Sequence, residues 1–149
     1  MPKVIGERIG VISQYLLIAG GAIFSILGLL HVAYTIRDIY RPRYLAPIDP
    51  ALIDQMASTG VRLARGRTNM WDAWLGFNIS HGLGAAIFGL VCVGAGVFGR
   101  TVALPKAALL IPVLVGVIYL LLALRFWFRV PAVGIAIATG LLFIGWLAY

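Results

Sequence analysis

Any chemistry in this chain has to start from two histidines set in otherwise apolar sequence. His31 stands in Leu30-His31-Val32-Ala33-Tyr34-Thr35, and His81 closes Gly76-Phe77-Asn78-Ile79-Ser80-His81. An imidazole can move a proton near neutral pH, ligate a metal, or hydrogen-bond a polar head through either nitrogen. Asn78 lies three residues before His81, and Trp74 four before that, so the three share a helix face. By the same rule His31 shares a face with Tyr34 and Thr35. His31, Tyr34, Asn78, His81 and Trp74 are therefore the candidate ligand-binding residues. A small enzyme is the alternative, with His81 or His31 as general base and Asn78 or Tyr34 as hydrogen-bond donor. Beside both stands a plainer role. Asn, Ser and His side chains tie membrane helices together at about 0.6–2 kcal/mol per contact, and Ser80 and Thr35 can bond back to their own helix.

Other chemistries find less support. Haem b is the sharpest cofactor candidate, because histidines from two helices can ligate it axially. Against it, neighbouring helices packed through glycine lie roughly 8–10 Å apart, too close to sandwich a macrocycle. The histidines have no acidic or thiolate companion at depth, so no metal site is expected. There is no Ser-His-Asp arrangement, phosphate loop or zincin motif. The lone cysteine, Cys92, has no partner within the chain and reads as a small hydrophobe. A transporter would need dimerisation and a span broken at mid-membrane, and no span is visibly broken.

The elements that must position these residues are transmembrane. The 149 residues are 62% hydrophobic and 11% charged, where soluble domains carry about a quarter charged residues. The charges fall in short blocks that leave four uncharged stretches: Ile9–Ile36, Ala73–Gly99, Ala107–Leu124 and Val130–Tyr149. A hydrocarbon core of roughly 30 Å needs about 20 apolar residues of helix, so each stretch can span. Lipid offers the backbone no hydrogen-bond partner, which makes each a helix, and unbroken apolar runs rule out an alternating barrel. The first stretch is too long for a cleavable signal and lacks a small-residue cleavage pattern.

The expected fold is thus an all-α membrane protein forming one domain over residues 1–149, a four-transmembrane-helix bundle. The helices fall at about 10–36, 70–99, 107–124 and 130–148, with a short interfacial amphipathic helix at about 50–65 between the first two. Asp49-Pro50 supplies an N-cap and first-turn proline for the short helix. Arg62, Arg65 and Arg67 follow as headgroup-binding candidates, and Gly66 as a terminator. Asn69 and Asp72 resemble a capping box for the second span, with Trp71 and Trp74 at headgroup level. Gly76, Ser80 and Gly84 recur every four residues and are the expected stripe for the approach of the first helix. Pro112 is expected to kink the third span near its start.

His31 and His81 then lie about 8 and 12 Å deep in the same half of the bilayer. The net charge of +7 comes with no nucleic-acid-binding motif, and basic loops instead meet anionic headgroups. Four spans place Lys3, Arg8, Arg100 and Lys106 on one side. Arg37, Arg41, Arg43, Arg62, Arg65, Arg67, Arg125 and Arg129 fall on the other. The positive-inside rule puts the richer side in the cytoplasm and both termini outside it.

Over about residues 25 to 90 the chain resembles a group of small bacterial inner-membrane proteins. The resemblance is carried by His31-Val-Ala-Tyr34-Thr and by Asn69-Met-Trp71-Asp-Ala-Trp74-Leu-Gly-Phe77-Asn78-Ile-Ser80-His81-Gly-Leu-Gly84. The recognisable feature of that group is a Trp-rich helix start running into Gly-Phe-Asn-x-Ser-His. The group has no established activity, so the resemblance implies a location and no reaction. Four-helix membrane isomerases acting on sterols share the outline but rely on intramembrane carboxylates, and the four uncharged stretches hold none. The expectation is a non-enzymatic subunit or oligomeric module that binds a lipid, quinone or other lipophilic molecule. Its partners would be membrane lipids together with further copies or subunits.

Overall fold

A computed structural model describes residues 2–102 and 104–149, with the side chains of 2–9 and 100 excepted. Lys3, Arg8 and Arg100, counted above for orientation, lie outside the described side chains. Five α-helices follow in order: α1 Pro2–Tyr40, α2 Pro50–Ser58, α3 Met70–Val102, α4 Leu110–Phe126 and α5 Arg129–Leu147. Single 3₁₀ turns occupy Arg62–Ala64 and Lys106–Leu109. Among the described residues, four segments are long and apolar enough to cross a membrane: Gly10–Tyr40, Met70–Gly99, Lys106–Phe126 and Arg129–Leu147. The protein is an all-α, four-helix polytopic membrane protein. Only 28–39% of the most apolar window of each span is buried within the protein, so most of its apolar surface faces outward, as hydrocarbon requires.

The chain divides into two compact units, one of Met1–Leu27 with Ala85–Tyr149 and one of Gly28–Gly84. The first is a four-helix bundle. Its core joins Leu17 and Phe24 of α1, Cys92 of α3, Val113 of α4, and Ala138 and Leu142 of α5. Phe24 meets Phe88 and Tyr119 edge-on, with ring centroids at 4.8 and 5.7 Å. Ser13 Oγ donates to the Gly145 carbonyl at 2.6 Å and Ser25 Oγ to that of Ala86 at 3.2 Å, so two hydroxyls bond across helices where water is absent. Pro112 falls in the first turn of α4, where backbone N–H groups have no intrahelical acceptor, and the chain tightens to 3₁₀ geometry just before that helix.

The second unit holds the end of α1, α2, the loops and the start of α3. Asp49 caps α2, its Oδ1 accepting from Ala51 N at 2.9 Å ahead of Pro50. This helix ends at Ser58, seven residues short of Arg65. Thr59 turns extended, and Gly60 pairs with Asn69 in an isolated antiparallel bridge flanked by Met70 N to Thr59 O and Val61 N to Thr68 O. That pairing closes residues 61–68 into a loop, with Arg65 and Gly66 both left-handed (φ 48° and 81°) at its turn. Asn69 caps α3 through Oδ1, which accepts from Asp72 N at 2.8 Å. Its amide donates to the Asp72 carboxylate at the same distance.

The Gly76–Ser80–Gly84 stripe is not the helix contact. Gly76 has open space where a Cβ would go, and Ser80 and Gly84 are exposed. Close approach to α1 runs instead through glycines seven apart. In the second unit a Cβ on Gly82 would meet Val32 Cγ2 at 2.8 Å and the Gly28 carbonyl at 3.0 Å. In the first unit Gly89 lies against Gly21 and Ser25, and Gly96 against Gln14 and Ile18. A four-residue repeat drifts about 40° per step around a helix and a seven-residue repeat only about 20°. The latter keeps a seam facing its partner.

Candidate functional site

The candidate residues lie in the second unit, on facing stretches of α1 and α3. On α1, the inward stripe is His31, Thr35 and Asp38, spaced four and three. Thr35 and Asp38 are each 1% exposed, and His31 is partly exposed. Thr35 Oγ1 donates to the His31 carbonyl at 2.9 Å, satisfying a buried hydroxyl within its own helix. On α3, Asn78 is 1% exposed and lies one turn before Gly82. The close contact of Gly82 with Gly28 and Val32 brings α1 near enough for His31 to reach Asn78.

The hydrogen bonds fix an orientation. Asn78 Nδ2 donates to the Trp74 carbonyl at 2.8 Å, which leaves Oδ1 as the acceptor facing His31 Nε2 at 3.0 Å. His31 must therefore donate through Nε2–H, and in the neutral ring the acceptor nitrogen is Nδ1. The His81 ring stands edge-on to that of His31, with centroids 5.4 Å apart and planes at 72°. Phe77 lies nearly parallel to His81 at 6.0 Å. The result is two adjacent, partly exposed imidazoles, one of them aimed by a buried amide. Their direct edge-to-face contact leaves no slot for a macrocycle between them. Among the described residues no three of His, Cys, Asp and Glu group as metal ligands do.

Two expected members sit elsewhere. Tyr34 points outward, 40% exposed, and its ring stacks on Tyr44 at 4.8 Å and 12°. Trp74 is also 40% exposed, and only its carbonyl joins the network. Ser80 bonds back to the Phe77 carbonyl at 2.9 Å. Arg62, Arg65 and Arg67 are exposed on the closed loop.

One further buried acid, Asp38, lies past Ile36, where the uncharged sequence stops. The apolar span runs on to Tyr40, and Asp38 lies within its last turn. Its carboxylate accepts from three consecutive backbone N–H groups: Arg43 at 2.8 Å, Tyr44 at 2.9 Å and Leu45 at 2.6 Å. The available signal was spacing, since Asp38 is seven residues past His31 on the same stripe. This carboxylate is engaged with backbone rather than open to a substrate, so its presence does not restore the likeness to sterol isomerases. No protein-family model, curated protein or solved structure matches the chain.

Proposed function

We propose that this membrane protein is a non-enzymatic binding module for a lipophilic molecule with a hydrogen-bonding head, a quinone or a lipid, held at His31 and His81. The observation that carries the reading is the His31–Asn78 bond. A buried amide, itself anchored to the Trp74 carbonyl, sets the tautomer of a partly exposed imidazole beside a second one. Two adjacent, partly exposed imidazoles form a polar patch, and apolar flanks such as Phe77 suit the remainder of such a ligand. An enzyme with His81 or His31 as general base is the second reading, favoured by the same pair of imidazoles, and turnover of the bound molecule would distinguish it. On this reading the 50–67 segment lies at the membrane surface. Ile48 and Leu63, almost wholly exposed, would dip into the headgroups beside Arg62, Arg65 and Arg67. The chain would lie in a bacterial inner membrane with both termini non-cytoplasmic, as further copies or as a subunit of a larger assembly.

The test is extraction and mass spectrometry of what co-purifies with the full-length protein, followed by titration with a short-chain ubiquinone and with a phospholipid. Binding that weakens about tenfold in His81→Leu, with folding retained, supports a site. Lost stability in detergent with no ligand bound in the wild type would leave the cluster as interhelical glue.

A further inference from the structure

A second arrangement occupies the outer face of α1, about 100° around the helix from the His31–Thr35–Asp38 stripe. The three bonds from Arg43, Tyr44 and Leu45 N–H to buried Asp38 tie the chain after α1 back onto the helix end. This anchor holds the Tyr44 ring flat on Tyr34. Two guanidiniums meet at the same ring, Arg37 at 5.8 Å and Arg43 at 5.9 Å from its centroid. All four side chains are exposed. The neighbouring carboxylate is taken up by backbone, so among the described residues neither arginine has an ion-pair partner.

Two cations gathered at one ring draw an anion, and arginine forks match phosphate oxygens two at a time. Below them on the same face run Tyr34 and Leu30, the latter 46% exposed. An apolar row leading to a cationic pair fits an amphiphile better than a free ion. A choline headgroup would bring its own cation against two guanidiniums with no acid to receive it. We propose that Arg37 and Arg43, gathered at Tyr44, bind the phosphate of an anionic phospholipid whose acyl chain lies along the Leu30–Tyr34 face of α1. The site is independent of the imidazole reading and stands or falls separately.

The test uses the full-length protein in nanodiscs of phosphatidylcholine with a minority of phosphatidylglycerol, read by native mass spectrometry of retained lipid. The wild type should prefer the glycerol lipid by at least about tenfold. Tyr44→Leu keeps both charges and Arg37→Lys with Arg43→Lys keeps the net charge, yet each should bring the preference near parity. Arg125→Gln with Arg129→Gln, at two exposed arginines that do not touch the Tyr44 ring, should leave it intact. Should either of the first two variants aggregate, Arg43→Lys alone, outside any helix, carries the same expectation. A preference that survives the loss of Tyr44 and both lysine changes, or that vanishes with Arg125 and Arg129, would reduce the effect to diffuse charge and overturn the site. Release of the lipid by excess inorganic phosphate would overturn it in favour of a free-anion site.

Discussion

Gly89→Ala probes the helix seam where it is tightest. A Cβ there would fall inside contact distance of the Gly21 carbonyl, the Ser25 nitrogen and Ser25 Oγ, and two of these three atoms are backbone of α1. Backbone in a membrane helix cannot swing aside, so α1 and α3 must part locally by about an ångström. Overpacking of this kind costs about 1–3 kcal/mol. Parting also stretches the 3.2 Å bond from Ser25 Oγ to the Ala86 carbonyl, worth about 0.6 kcal/mol. The better helix propensity of alanine offsets at most about 1 kcal/mol. The expected net loss is about 1–3 kcal/mol. Gly76→Ala on the same helix is the control. Nothing lies within 4 Å of its Cβ position, so it should be neutral or stabilising by up to about 1 kcal/mol. Dodecyl sulfate titration in mixed micelles, followed by circular dichroism and tryptophan fluorescence, measures both. A Gly89→Ala protein as stable as the wild type, or a Gly76→Ala protein equally damaged, would refute the assignment of faces on α3.

Asn78→Leu should lose about 1–2 kcal/mol in the same titration, since the His31 N–H loses its acceptor while the Trp74 carbonyl keeps its helical donor. Imidazole nitrogen NMR should show His31 protonated at Nε2 in the wild type, and an Nδ1–H tautomer there would contradict the network. Asp38→Asn replaces an acceptor oxygen by an amide facing backbone N–H groups and should expose the Arg43–Tyr44 bond to trypsin at least about tenfold faster, with unchanged cleavage as the contrary result. A reporter fused after Tyr149 should read non-cytoplasmic, and a cytoplasmic signal would invert the orientation drawn from the arginine-rich side.

The four spans were legible because hydropathy over 20 residues is a one-dimensional signal, and so were the caps at Asp49 and Asn69, which act within three residues. What the sequence hid was pairwise. Gly76–Ser80–Gly84 and Gly82–Gly89–Gly96 are both small-residue series in α3, and the facing residues of α1, from Gln14 to Val32, decide between them. The end of α2 depends on Gly60 meeting Asn69, nine residues on, which no local propensity announces. Tyr34 lies within a turn of His31, but the inward stripe runs through Thr35 and Asp38, while a loop residue, Tyr44, claims the tyrosine. The His31–Asn78–His81 proximity followed from antiparallel spans. The tautomer followed only from the Asn78 bond to the Trp74 carbonyl.

The spans are unequal, at 31 and 30 residues for those of α1 and α3 against 21 and 19 for those of α4 and α5. At 1.5 Å per residue the longer pair exceeds the shorter by roughly 15 Å, half the thickness of a hydrocarbon core. No single bilayer matches both. A membrane thin enough for α5 forces the longer helices to tilt or to carry apolar turns into the headgroups, and a thicker one drags the ends of α5 inward. The acyl chain length of the surrounding lipid thereby becomes a variable to which this protein is mechanically coupled. Hydrophobic thickness would bias which membrane, or which region of one, it settles in.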